Sequence, residues 1–446
     1  MNTENLKQLR LDIQKKVGYR IENLSELKMV QEGIEWNTKK KISFNTLRRF
    51  FGFLRSTTPN LNTLNTLSQY IGYENFSAYQ KNSLRDNDWF VWTQTIKIEL
   101  SESINEIDFK WLESQQNTND YHLKIASIIK TFIYKKKYTV LNQFFDKRIF
   151  QFEEANQLKL AANICLLFRS LNDEEIKIII QELTPNIVFR ENILHWFVDY
   201  SNFNGYYGDF ILEGIKHALP DSHEALFFDL ILNYNQYLIC SKSLKLIDLN
   251  RIKPDYFIVL QGRCYAYNLL YFSEQKDNLR FEQTWQELLK IINKSDQINL
   301  LAIEVFPALL FIKSFDKTNY LIQNYYEELL TLHNWSGYPF QATILLTQTL
   351  HLINENKIKE AKIGFELIDL SKFSLSYYDY IKLFYLIAKY QLELVSSANE
   401  IQLTEIQKEY ELIATKTGFK RFSVEFLTQY LSNNDLDLDV KQMHQL

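Results

Sequence analysis

Glycine and proline are scarce, with 11 and 6 among 446 residues, against usual shares of roughly 7% and 5%. Barrels, sandwiches and glycine-loop nucleotide folds turn on those residues, so their scarcity argues against all three and leaves a mostly helical chain. Cysteine is rarer still. Cys165, Cys240 and Cys264 stand far apart among apolar neighbours, which gives neither a disulfide framework nor a CxxC pair. They read as core residues of a reducing compartment. No apolar run approaches the roughly 18 residues that a bilayer span needs, and Met1 to Val17 is a charged amphipathic stretch without the apolar core of a signal peptide. A cytoplasmic protein without a membrane partner is the expectation.

What the chain does have is ordinary globular material. Hydrophobic residues make 46% and charged residues 23%, which excludes wholesale disorder, and the length allows two or three domains of roughly 100 to 200 residues. The net charge of −4 hides a division: Met1 to Arg85 carries 14 basic and 7 acidic residues, leaving 36 basic and 47 acidic beyond it. The first segment is thus +7 and the remainder −11. Such asymmetry marks either a module that faces nucleic acid or plain scatter on a short piece, and the arrangement of the charges has to decide.

Within residues 1–85, Leu6, Leu9, Ile13 and Val17 recur at helical spacing and predict a first helix ending near Gly18. Asn23 and Glu26 form a capping-box pattern that opens a second helix carrying Leu24, Leu27, Val30 and Ile34, with Gly33 and the polar run after Trp36 closing it. Lys39, Lys40 and Lys41 fill the connection. Ser43 then caps a third helix, stopped by Pro59, with Phe44, Leu47, Phe50, Phe51 and Leu54 along one side. The opposite side gathers Asn45, Arg49, Gly52 and Ser56. Asn and Arg are the side chains whose paired hydrogen bonds match adenine and guanine edges in the major groove, and Gly52 would allow close approach to a sugar-phosphate backbone. Arg48, Arg55 and the lysines flank that side, where phosphates would lie. After Pro59, Asn62 caps a fourth helix with Leu64, Leu67 and Ile71, ended by Gly72, and Phe76 and Tyr79 supply a last apolar turn.

The stretch Ile42 to Tyr79, ISFNTLRRFFGFLRSTTPNLNTLNTLSQYIGYENFSAY, resembles the helix-turn-helix domain of Cro-repressor type, in the variant common in Bacteroidetes proteins. There a Ser-x-x-Thr-Leu-Arg-Arg helix precedes Thr-Leu and Leu-Gly-Tyr. The resemblance covers about a sixth of the chain and implies that Ser43 to Leu54 is the recognition helix, with Asn45, Thr46, Arg48 and Arg49 nearest double-stranded DNA. One departure is the connection from Gly33 to Ser43, longer than the usual three- or four-residue turn. Protein docking and an inert basic cap are the competing readings of the same face.

From Asn87 onward helix follows helix, with polar connections at Gln115–Asp120, Asn172–Glu174, Lys276–Asn278 and Asn354–Lys357. Paired helices recur at about 35 to 45 residues, the spacing of helical-repeat solenoids. The run Lys-Ile-Lys-Glu-Ala-Lys-Ile-Gly-Phe after Asn356 resembles the second helix of a tetratricopeptide repeat, with small Ala361 at the helix contact and Phe365 a turn later. A second candidate places Gly208, Leu212 and Pro220 in those roles. The repeat is degenerate. Tyrosine clusters at 206–207, 265–271, 325–326 and 377–380 belong either to inter-helix packing or to a groove that binds a peptide or protein ligand.

No phosphate loop, dinucleotide fingerprint, nucleophile elbow or kinase signature occurs, so neither catalytic residues nor a cofactor is expected. His217, Asp221, His223 and Glu224 form the best metal-like grouping, broken by Pro220, and no metal is assigned to it. His195 and Asp199, four apart on a predicted helix, permit a hydrogen-bonded pair. The resulting expectation is an all-α protein, with a helix-turn-helix bundle over 1–85 and a tetratricopeptide-like α-solenoid over 86–446. Its function would be that of a cytoplasmic bacterial transcription regulator, a homodimer whose body senses an effector and supplies the dimer contact. The alternative is a protein-interaction scaffold whose head docks a protein partner. DNA contacts would come from Lys39, Lys40, Lys41, Ser43, Asn45, Thr46, Arg48, Arg49 and Arg55.

Overall fold

The computed structural model describes residues 3–55, 59–83, 88–253, 256–295, 298–330, 340–396 and 400–431. Every regular element among them is a helix, in keeping with the scarcity of glycine and proline. The chain divides into two compact units, Met1–Ser101 and Glu102–Leu446. The expected joint at 85/86 falls in 84–87, outside the described residues.

The first unit contains α1 (Thr3–Val17), α2 (Leu24–Thr38), α3 (Phe44–Phe50), α4 (Leu61–Tyr70), α5 (Phe76–Ser83) and α6 (Asp88–Leu100). The capping box at Asn23 is complete: its side chain accepts from the Glu26 amide at 3.0 Å, and the Glu26 carboxylate accepts from the Asn23 amide at 3.3 Å. Leu9 and Ile13 of α1, Leu27, Val30 and Ile34 of α2, Leu47 and Phe50 of α3, and Leu64 and Leu67 of α4 bury their side chains in one core. α2 packs on α3 and α4, and α4 packs in turn on α1 and α5.

Three boundaries differ from the periodicity reading. Gly33 does not end α2; a Cβ there would lie 3.0 Å from the Tyr70 hydroxyl, so this glycine lets α4 approach, and the helix continues one turn to Thr38. Lys39, in the left-handed region at φ 58°, ends it. The connection is therefore residues 39–43, and the apparent excess length between Gly33 and Ser43 is helix. α3 stops at Phe50 rather than running on towards Pro59, because Gly52 takes φ +84° and the Phe53 amide turns back to the Arg48 carbonyl at 2.8 Å. Gly52 thus terminates the helix rather than making room for a sugar-phosphate backbone. Asn60, not Asn62, caps α4, accepting from the Thr63 amide at 2.8 Å.

In the second unit the expected connections separate helices Glu106–Gln115 and Tyr121–Tyr134, Glu154–Phe168 and Asp173–Leu183, Ile258–Glu274 and Asn278–Ile292, and Gln341–Asn354 and Ile358–Glu366. Helices pack on the next and the next but one: Ile258–Glu274 lies on both Asn278–Ile292 and Ile298–Phe311. Ala361 is fully buried at its helix contact and Phe365 stacks on Tyr385 at 4.7 Å, whereas Leu212 of the other repeat candidate is 54% exposed. Gly208 does have a packing role, since a Cβ there would meet the Phe203 carbonyl at 2.3 Å.

The chain also returns on itself. Tyr200 donates its amide to the Ser376 carbonyl at 3.1 Å, the Asp379 amide reaches Ser201 Oγ at 3.1 Å, and Arg421 stacks over Tyr237 at 4.2 Å. In an open stack each repeat touches only its neighbours. Here helix Tyr378–Val395 packs against the segment Tyr200–Asn202, about 180 residues earlier in the chain.

Candidate nucleic-acid interface

The helix pair α2–α3 is fixed from both ends of its connection. Gln31 Nε2 donates to the Ile42 carbonyl at 2.7 Å, Ile42 is buried, and the Thr38 hydroxyl accepts from the Lys40 amide at 3.2 Å. Ser43 Oγ accepts from the Thr46 amide at 3.1 Å and lies 2.8 Å from Thr46 Oγ1, so both hydroxyls serve the cap of α3. Leu47 and Phe50 then lock the inner face of the helix into the core.

The outer face presents Asn45 and Arg49, both exposed. Arg49 and Arg55 carry no ion pair or side-chain hydrogen bond among the described residues. Arg48 is turned aside: its Nη1 lies 3.4 Å from Asn45 Oδ1 and its Nε is buried without a partner. The lysines are committed to different degrees. Lys39 Nζ sits over the Trp36 ring at 4.5 Å, Lys40 donates to Gln69 Oε1 at 3.0 Å, and Lys41 lies 3.2 Å from Glu35. All three are exposed, and surface contacts of that kind are worth about 0 to 1 kcal/mol, little enough for a phosphate to displace them.

The other readings of the chain's polar residues change with the fold. His217, His223 and Glu224 face separate partners, respectively Glu213 at 3.8 Å, Glu191 at 3.4 Å and Arg190 at 2.7 Å. No grouping of His, Cys, Asp and Glu among the described residues could hold a metal ion. His195 and Asp199 do not pair, because the helix expected to carry both ends before Asp199. His195 closes a π-helical turn over Arg190–Leu194, and the chain has left the helix by Asp199. Asp199 accepts from Arg169 at 2.7 Å twice and from the Tyr206 hydroxyl. His195 is fully buried between Phe227 and Phe228, and neither ring nitrogen has a hydrogen-bond partner. Burial, with His223, Arg190 and Arg263 nearby, holds its imidazole well below the ordinary value.

Sequence reasoning missed the charged centre of the body. Arg263 and Glu304 form an ion pair at 3.0 Å with both side chains about 2% exposed. Glu304 Oε2 also accepts from the hydroxyls of Tyr200 at 2.8 Å and Tyr377 at 2.9 Å. The two tyrosines stack at 3.8 Å, and burial beside the carboxylate pushes both hydroxyls well above their ordinary range. Four residues spread over 178 positions meet here, and no local spacing could have announced them. Tyr206, Tyr207, Tyr265, Tyr267 and Tyr380 are buried as well, so these members of the clusters are core.

Next to Glu304 lies a cavity of about 40 Å³ between Trp196, Phe197, Phe340 and Ser376. A wider, open depression of about 580 Å³ is lined by Leu249, Ile252, Tyr256, Tyr265, Lys253 and Lys294. Compared with protein-family models, with curated proteins and with solved structures, the chain matches none.

Proposed function

We propose that the chain is a transcription regulator whose head reads double-stranded DNA with α3 and whose helical-repeat body senses an effector. One observation carries this reading. Asn45 and Arg49 stand side by side on the outer face of a helix whose inner face is locked, and Arg49 is uncommitted within the described residues. Seven residues make a helix about 10 Å long, enough to meet three or four base pairs in the major groove. Ser43 and Thr46 would contribute backbone contacts, Lys39, Lys40, Lys41 and Arg55 would meet phosphates, and Arg48 would orient Asn45. The open depression at Tyr256, Lys253 and Lys294 is the place where the body would take a peptide or protein ligand.

Binding to duplex DNA as a function of salt tests this reading. Each phosphate neutralised by the head contributes about −0.9 to the slope of log affinity against log salt, so affinity should fall steeply between 50 and 200 mM. Affinity that ignores salt, or no duplex binding at all, rejects it. The scaffold reading is favoured by a different observation: Met29 and Trp36, seven residues apart on α2, are 60% and 76% exposed and would suit a protein partner of the head. Retention of a partner by a chain carrying Arg49→Ala, and its loss with Trp36→Ala, would support that alternative.

A further inference from the structure

α6 has two apolar sides. Val91, Thr95 and Ile98 are buried on one, while Trp89, Trp92, Ile96 and Leu100 are 63%, 46%, 49% and 59% exposed on the other. At 100° per residue the four exposed side chains fall within an arc of about 80°. The stripe is uninterrupted along the whole helix of 13 residues, about 20 Å long, and no charge lies within it. We propose that this stripe is the contact between two copies of the chain, joined about a two-fold axis by packing α6 on α6. This deepens the regulator reading and rests on it for the purpose of the pairing, because a short recognition helix holds DNA well only when two heads bind together.

Four observations favour a second copy as the occupant. A stripe without charge has nothing to select a partner by electrostatics, and its best complement is an apolar stripe of equal length, which another α6 supplies. Two-fold pairing is isologous and closes after two copies, whereas head-to-tail pairing of the same surface would leave an open end. The exposed area of the four side chains comes to roughly 400 Å² per copy, or about 800 Å² in all. With flanking atoms this approaches the low end of stable interfaces at about 1,000 to 1,200 Å², so a dimer forming in the micromolar range is expected. A membrane surface fits less well: helices that lie in a bilayer interface carry many basic residues on the polar side, and α6 has Lys97 alone. The dimer contact thus belongs to the unit that carries the head, not to the acidic body.

Sedimentation of the full chain and of the double variant Trp92→Glu, Ile96→Glu tests the assignment, with circular dichroism to verify that both are folded. The parent should move from 53.3 kDa towards twice that mass between about 1 and 50 µM, and the variant should stay at the lower mass. On duplex DNA with two half-sites the variant should bind about 10²-fold more weakly, while on a single half-site the two should be equal. A parent that remains monomeric at 50 µM overturns the proposal, and so does a variant that still dimerises. A monomeric parent that floats with phosphatidylglycerol vesicles overturns it in favour of a membrane surface. Failure of the regulator reading looks different: the parent dimerises through α6 and neither protein binds DNA.

Discussion

Arg49 and His195 show how much a single side chain depends on where it is held. Arg49 is exposed beside Asn45 and available to an incoming ligand, so Arg49→Ala should cost about 1 to 3 kcal/mol on a cognate site and relax preference at one base position. Replacing Lys39, Lys40 and Lys41 should instead weaken all sequences alike and flatten the salt slope by up to about three contacts. Equal losses on random DNA from both changes would remove the distinction between reading and anchoring. His195 works in the opposite direction, because its burial disfavours the charged imidazole even with the Glu224 carboxylate 3.8 Å from Nε2. Above its unfolded value of about 6.5 neither state binds the proton; below it the unfolded chain does and the native chain does not, so stability is lost as the pH falls. Measured against His195→Leu, the parent should lose about 1.4 kcal/mol per pH unit below 6.5, read as diverging melting temperatures between pH 7.5 and 5.5. A gap that stays constant over that range would mean that the imidazole takes up a proton in place.

Among the elements, α3 and the helix Tyr206–Gly214 depend on glycine in different ways. Gly52 sits at φ +84° with open space where a Cβ would go, so Gly52→Ala should cost about 1 to 2 kcal/mol of backbone strain and loosen the end of α3. Gly208 has an ordinary φ, but its missing Cβ is occupied by the Phe203 carbonyl. Gly208→Ala must push apart the helix and the turn before it, which should lower the melting temperature of the body more than Gly52→Ala lowers that of the head. The reverse order would show that the Phe203 turn yields easily. The capping residues Asn23 and Ser43 were legible from sequence because a cap is a local arrangement of three or four residues. The true end of α2 was not, since Gly33 makes room for Tyr70, 37 positions away, and does not end the helix.

For the molecule as a whole, Glu304 is the point where the body closes. Its carboxylate joins Arg263, Tyr200 and Tyr377, and so ties the middle of the chain to helix Tyr378–Val395. Glu304→Leu leaves Arg263 buried without its counter-ion and should cost about 3 to 5 kcal/mol, while adding Arg263→Met should restore much of that loss. Calorimetry of the single variant should show the second unit still melting as one transition at lower temperature. Separate transitions for its two halves would mean that the contacts across residues 198–201 and 376–379 do not couple them.

The helical class, the positions of most connections and the outward face of α3 were determined by the sequence itself, because 3.6-residue periodicity, capping chemistry and the scarcity of glycine and proline all act within a few residues. The tertiary structure decided the rest. It separated His195 from Asp199, moved Tyr206, Tyr207, Tyr265, Tyr267 and Tyr380 into the core, and assembled Arg263, Glu304, Tyr200 and Tyr377 into one buried centre. Each of those outcomes depends on residues tens to hundreds of positions apart meeting out of water, where an unpaired polar group is costly and a paired one is fixed in place. No window along a single chain contains that information.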